Sequence, residues 1–147
     1  MRENIRIATE NDIDVVKDFL GRSEVSSEGV ESIIDHFIIM EDELGKLQAT
    51  LGVERIGKDG LLRSLVVTSN IEQTQILTLF KSAVSLAKHK EMQDLYLVTN
   101  REASVVFFTM LGFSRVDEVE IPETVLYSQH IRQIAQTDQA IFMKTSL

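Results

Sequence analysis

Arg63 stands inside the apolar run "LLRSLVV" (Leu61 to Val67). A guanidinium there must be paired or solvated. Its planar fork suits a carboxylate. Arg63 therefore reads in two ways: as a clamp for a substrate carboxylate, or as a strand-end arginine paired with an internal acid such as Asp35 or Glu54. In a regular strand Ser64 faces away from Arg63, so the two should share no role. Glu54 on the preceding strand reads as an exposed strand carboxylate. His36 precedes a strand and can titrate near neutral pH, although a surface histidine is the plainer reading. The three histidines, His36, His89 and His130, show no metal-ligand spacing, and no metal is expected. The chain has no cysteine, which excludes disulfides, Cys-based zinc sites and a catalytic thiol.

The elements that must position these groups follow from periodicity. "IRIA" (5–8) alternates as a short strand. "TENDIDVVKDFLGRS" (9–23) is a helix capped by Thr9 or Asn11, with Ile13, Val16, Phe19 and Leu20 on one face. "SSEGVESIIDHF" (26–37) predicts a second, shorter helix. "HFIIMEDE" and "KLQATLGVERIG" form a hairpin about the turn "EDELGK", and "GKDG" turns the chain into the central strand "LLRSLVV". Ile71 to Lys88 is the strongest helix, with Ile76, Leu77, Phe80, Ala83, Val84 and Ala87 at helical spacing. "DLYLVT" (94–99) is a buried-type strand. "REASVVFFTMLG" (101–112) is a helix stopped by Gly112. "FSRVDEVEI" (113–121) and "QAIFMKT" (139–145) are strands, with a polar helix over 122–134 between them. Hairpin strands followed by β-α-β units imply a mixed sheet with helices on both faces.

The length of 147 residues gives one domain over 1–147. The net charge of −8 argues against nucleic acid and against an anionic membrane surface. No window approaches a membrane-spanning apolar run and no signal peptide opens the chain. A cytoplasmic protein is the simplest expectation.

The element order and three landmarks resemble the GNAT acetyltransferase superfamily. The landmarks are "LLRSLVVTSN", similar to the family's fourth strand; the long helix directly after it; and "REASVVFFTMLGF", similar to Asn-x-x-Ala-x-x-x-Tyr-x-x-x-Gly-Phe. The tail also resembles small amino-acid N-acetyltransferases, including those of arsenic-resistance clusters. The resemblance implies an α/β fold with a mixed, mostly antiparallel sheet flanked by helices. It implies acetyl-CoA as acyl donor and a small-molecule amine as acceptor, amino-acid-like in this subgroup. The backbone of Leu65, Val66 and Val67 would meet the acetyl and pantetheine groups. The pyrophosphate would lie on Gln73, Thr74, Gln75, Ile76 and Leu77, because helix N-termini carry unpaired donors and a positive dipole end. Some members place a base near Glu54. Tyr127 and His130 fall in the segment that often edges the acceptor pocket. The family also allows dimers through an edge strand or the C-terminal strand.

The pattern departs from the family at the phosphate loop. The usual Arg/Gln-x-x-Gly-x-Gly/Ala becomes Glu72, Gln73, Thr74, Gln75, Ile76, Leu77. Glycines let a backbone approach phosphate closely, and Glu72 opposes an anionic ligand. The family's asparagine is Arg101 in this register, with Asn100 one place earlier. Asn100 either bonds the pantetheine or caps the helix near Glu102. The tyrosine used as general acid becomes Phe108, which donates no proton. Phe107, Phe108, Met110, Leu111 and Phe113 resemble a cofactor wall but have the spacing of core. Two functions stay open: an N-acetyltransferase, or a degenerate binding or regulatory module that does not use acetyl-CoA. An open helix terminus at Glu72, Gln73, Gln75 and Leu77 favours the enzyme. Side chains filling it favour the module.

Overall fold

A computed structural model describes residues 4–126, 128 and 140–147. Strand β1 (Asn4–Ile7) leads through a 3-10 turn (Glu10–Asp12) into α1 (Ile13–Arg22). Strands β2 (Phe37–Glu41), β3 (Leu47–Ile56) and β4 (Asp59–Val67) follow, then α2 (Gln73–His89), β5 (Asp94–Thr99) and α3 (Glu102–Met110). The described chain closes with β6 (Ser114–Val116), α4 (Glu123–Leu126) and β7 (Ile141–Ser146). The strands form one seven-stranded sheet in the order β1-β2-β3-β4-β5-β7-β6. β1–β2, β2–β3, β5–β7 and β6–β7 pair antiparallel, and β4–β5 pair parallel with Gly60 opposite Leu95 and Leu61 opposite Tyr96. The sheet is mixed and mostly antiparallel, as expected from the sequence.

The chain divides into two compact units. The first comprises Met1–Glu54 and Arg63–Leu86. Its core gathers Val16 and Leu20 of α1 with Phe37, Ile39, Leu47 and Val66, and Ile13 and Phe19 pack against it. The face read for α1 is therefore the buried one. The second unit comprises Arg55–Leu62 and Ala87–Leu147. Its core gathers Leu61, Tyr96, Ile121, Val125 and Phe142.

Local chemistry fixes the connections within the first unit. The Asp42 carboxylate accepts the N–H groups of Leu44 and Lys46, both at 2.9 Å, and closes the β2–β3 turn. Arg6 of β1 grips two acids at once: it donates to both Asp12 oxygens at 2.8 Å and to Glu41 Oε1 at 2.8 Å. Asp12 also accepts the Thr9 N–H at 2.7 Å. The Arg6 bonds are the main cause that holds the Asp12 carboxyl at about 2. Gly52 of β3 faces Phe37 of β2, and a Cβ on Gly52 would lie 2.9 Å from the ring.

Two expectations are corrected. The helix read over 26–37 is two 3-10 turns, Val30–Ser32 and Ile34–His36: Gly29 at φ +80° breaks the right-handed path before the first, and Ile33 at φ −128° separates the two. The strand read over 113–121 stops at Val116 and gives way to a 3-10 turn at Glu118–Glu120. Of the polar helix read over 122–134, α4 (Glu123–Leu126) is seen, and most of the remainder to Ile134 lies outside the described residues.

Candidate functional site

The Arg63 guanidinium is nearly enclosed, with its side chain 11% exposed. Nη1 donates to Glu54 Oε1 at 2.8 Å, Nη2 to the Glu28 carbonyl at 3.2 Å, and Nε to Ser64 Oγ at 3.2 Å. The pairing with Glu54 is one of the two readings of Arg63, with Glu54 rather than Asp35 as the acid. Three of the five N–H groups of a guanidinium are thus used in these contacts. Glu54 is not a free strand carboxylate, because it is the counter-ion of Arg63.

The expected separation of Arg63 and Ser64 is overturned by backbone geometry. Ser64 lies at φ +58°, in the left-handed region. A non-glycine residue there costs roughly 1–3 kcal/mol and persists only where its surroundings enforce it. The kink breaks the strand's alternation and brings the serine hydroxyl under Arg63 Nε. The Ser64 carbonyl accepts the hydroxyl of Thr50, a wholly buried residue of β3, at 3.0 Å. After the kink, alternation resumes: Val66 is buried, while Leu65 and Val67 are exposed.

The N-terminus of α2 belongs to the same unit. Gln75 Oε1 accepts the N–H of Glu72 at 2.7 Å. This is one arm of a capping box, in which a side chain three residues into the helix satisfies the cap's own N–H. The N–H groups of Gln75 and Ile76 turn back to the Glu72 carbonyl at 3.0 and 3.1 Å. The N–H groups of Gln73 and Thr74 lie in the first turn, where a helix supplies no acceptor of its own. Both residues are exposed, as is Glu72, while Gln75, Ile76 and Leu77 are half-buried.

In the second unit, Asn100 is exposed and does not cap α3. The cap position is Arg101, with no side-chain bond to the helix, and Thr99 Oγ1 accepts the Arg101 N–H at 3.3 Å. Phe108 is buried edge-on between Phe107 and Phe113, with ring centroids 5.6 and 6.2 Å away. Phe108 and Phe113 are core, as their spacing suggested. Met110 is not: it is 78% exposed. Tyr127 and His130 lie outside the described residues. His36 ends a 3-10 turn, and its buried Nδ1 meets no hydrogen-bond partner among the described residues.

Sequence reasoning missed Thr50, Glu28 and the bond made by Gln75. The last had a readable signal, a glutamine three residues after the cap. Thr50 had none, since its partner is a carbonyl fourteen residues away.

No family model matches the chain. The chain is 38% identical over 141 residues to the uncharacterized protein YwlB of Bacillus subtilis, with 95% of each sequence covered. The chain belongs to the YwlB family. For this YwlB relative, solved structures define the fold. The N-acetylglutamate synthase of Neisseria gonorrhoeae, complexed with coenzyme A and N-acetyl-glutamate, superimposes with a TM-score of 0.77 at 19% identity. The alignment covers 100% of this chain but only 35% of the synthase. Rv2747 of Mycobacterium tuberculosis, solved in complex with CoA, gives a TM-score of 0.77 at 16% identity over 98% and 99% of the two chains. A GNAT-family acetyltransferase of Staphylococcus aureus gives 0.76 at 15% identity over 99% of both. The fold of this YwlB-family chain is the GNAT fold.

Proposed function

We propose that the chain is an acetyl-CoA-dependent N-acetyltransferase acting on the amine of a small, amino-acid-like molecule. One observation carries the reading: beyond the Ser64 kink Leu65 and Val67 are exposed, in the same unit whose α2 opens on the Gln73 and Thr74 N–H groups. The first suits the acyl and pantetheine arm, the second its phosphates. The GNAT fold and the CoA held by two solved neighbours support it.

In this reading the neutral amine attacks the thioester carbonyl carbon. A C–N bond forms, the C–S bond breaks, and the thiolate takes up the proton that the amine releases. The N–H of Leu65 faces the thioester oxygen, where charge develops in the transition state. Phe108 moves no proton, and Glu54 is engaged by Arg63, so water carries the proton from the amine. Beyond the contacts to Glu54, Glu28 and Ser64, two of the five N–H groups of Arg63 meet no partner among the described residues. These fit an acceptor carboxylate, and the reading is supported by the N-acetyl-glutamate held in the Neisseria synthase.

A second reading, a binding module that does not use acetyl-CoA, is favoured by one feature. Gln75 already fills the N–H of Glu72, the cap just before α2, beside that residue's exposed carboxylate. Calorimetric titration with acetyl-CoA and CoA at low and moderate salt separates the two. Micromolar binding is expected, and a screen of amino-acid amines then finds the acceptor. No binding at millimolar cofactor overturns the acetyltransferase reading in favour of the module.

A further inference from the structure

Ser64 is held from two sides. Arg63 Nε reaches its hydroxyl at 3.2 Å, and Thr50 Oγ1 donates to its carbonyl at 3.0 Å. Thr50 is 0% exposed, and its one described bond gives its hydroxyl a direction. A buried hydroxyl without a partner is costly, which keeps this bond closed. The consequence passes along the peptide plane. The described chain has no cis peptide bond. The Ser64 carbonyl and the Leu65 N–H therefore belong to one trans, planar unit and point in opposite directions. A carbonyl fixed toward Thr50 on β3 forces the Leu65 N–H to point away from β3. Without the Thr50 bond, the strained left-handed residue at φ +58° can relax and turn that peptide.

We infer that Thr50 is a positioning residue for the acyl donor: by holding the Ser64 carbonyl, it aims the Leu65 N–H at the thioester oxygen. Thr50 touches neither donor nor acceptor and acts only through the 64–65 peptide. The inference rests on the acetyl-CoA reading proposed above.

The test uses the full-length chain labelled with 15N-leucine, with CoA and acetyl-CoA as probes. In the parent, the Leu65 amide resonance moves further on addition of acetyl-CoA than of CoA, which brings the same pantetheine but lacks the acyl oxygen. Thr50→Val keeps the shape of the side chain and removes the hydroxyl. It is expected to weaken acetyl-CoA binding roughly five- to tenfold, the loss of about one hydrogen bond, while CoA affinity stays within about twofold. Thr50→Ser restores both affinity and the Leu65 response. A Thr50→Val protein that binds acetyl-CoA as the parent does, with the same Leu65 shift, overturns the inference and leaves the acetyl-CoA reading standing. Equal loss of both probes overturns it too, since that marks a merely structural role. A parent that binds neither probe overturns the acetyl-CoA reading itself, and the inference with it.

Discussion

Arg63 of β4 and Glu54 of β3 meet at 2.8 Å, with the guanidinium almost enclosed and the carboxylate only 26% exposed. Removing one member of such a pair leaves the other desolvated without compensation, which costs more than the pair itself contributes. Glu54→Ala should therefore lower stability by about 1–3 kcal/mol. Glu54→Gln, which keeps an acceptor for Arg63 Nη1, should lose less. Urea denaturation of both variants checks the order. An unchanged midpoint for Glu54→Ala would show that the pair holds nothing in place.

Gly52 has no room for a side chain. The ring of Phe37 stands 2.9–3.2 Å from where a Cβ would be, and Phe37 is fully buried, so the ring has nowhere to retreat. Gly52→Ala should destabilise the fold by about 1–3 kcal/mol, the usual scale of overpacking. Adding Phe37→Leu should recover part of that loss, giving a coupled rather than additive double mutant. Thermal melts of the four proteins measure the coupling.

Acid should weaken the joint between β1 and α1. Asp12 titrates at about 2 in the folded chain against 3.8 for the free side chain, chiefly because Arg6 bonds the charged form. A carboxyl depressed in this way stabilises the fold above its unfolded value, and the contribution is lost as pH falls from about 4 through about 2. Arg6 is about one-third exposed, so solvent screening reduces the effect to the order of 1 kcal/mol. Stability measured at pH 5 and pH 2 should differ less in Asp12→Asn than in the parent. An identical pH slope in the two proteins would remove Arg6–Asp12 as its source.

Glu72 lies at the end of α2 where the proposed phosphates approach, and it is exposed. Its carboxylate repels them across a short, solvated distance. Glu72→Gln should tighten CoA binding about two- to fivefold, in line with one charge at an exposed helix terminus. The gain should shrink as salt rises. Calorimetry at two ionic strengths reads both effects, and weaker binding in Glu72→Gln would move the phosphates away from this terminus.

The sequence carries the element order because periodicity and turn residues are local. Gly45 and Gly57 mark the two hairpin turns with positive φ, and α1 buries the stripe that its spacing shows. Helix α3 is apolar on more than one side: Val105 and Phe108 are buried, while Val106 and Met110 are exposed. No spacing rule chooses between those faces, and so Met110 was expected in the core. The Ser64 kink was illegible for another reason. Serine is not the residue that positive φ favours, and what enforces it comes from Thr50 and Arg63 through tertiary contact. At Gln75 the signal was present but was read as a missing glycine, when the side chain is itself a ligand of the helix.

That last point changes what the terminus of α2 selects. Gln75 is an intramolecular competitor, tethered three residues from the N–H it fills. A dissolved anion that wants this N–H must displace a rival whose local concentration far exceeds its own. In the acetyl-CoA reading proposed above, a small free anion would lose that contest, while a phosphate on a long molecule also anchored along Leu65–Val67 would compete on equal terms, because it too is tethered. Gln75 would then discriminate by attachment rather than by charge, a form of selectivity that an open glycine loop does not have.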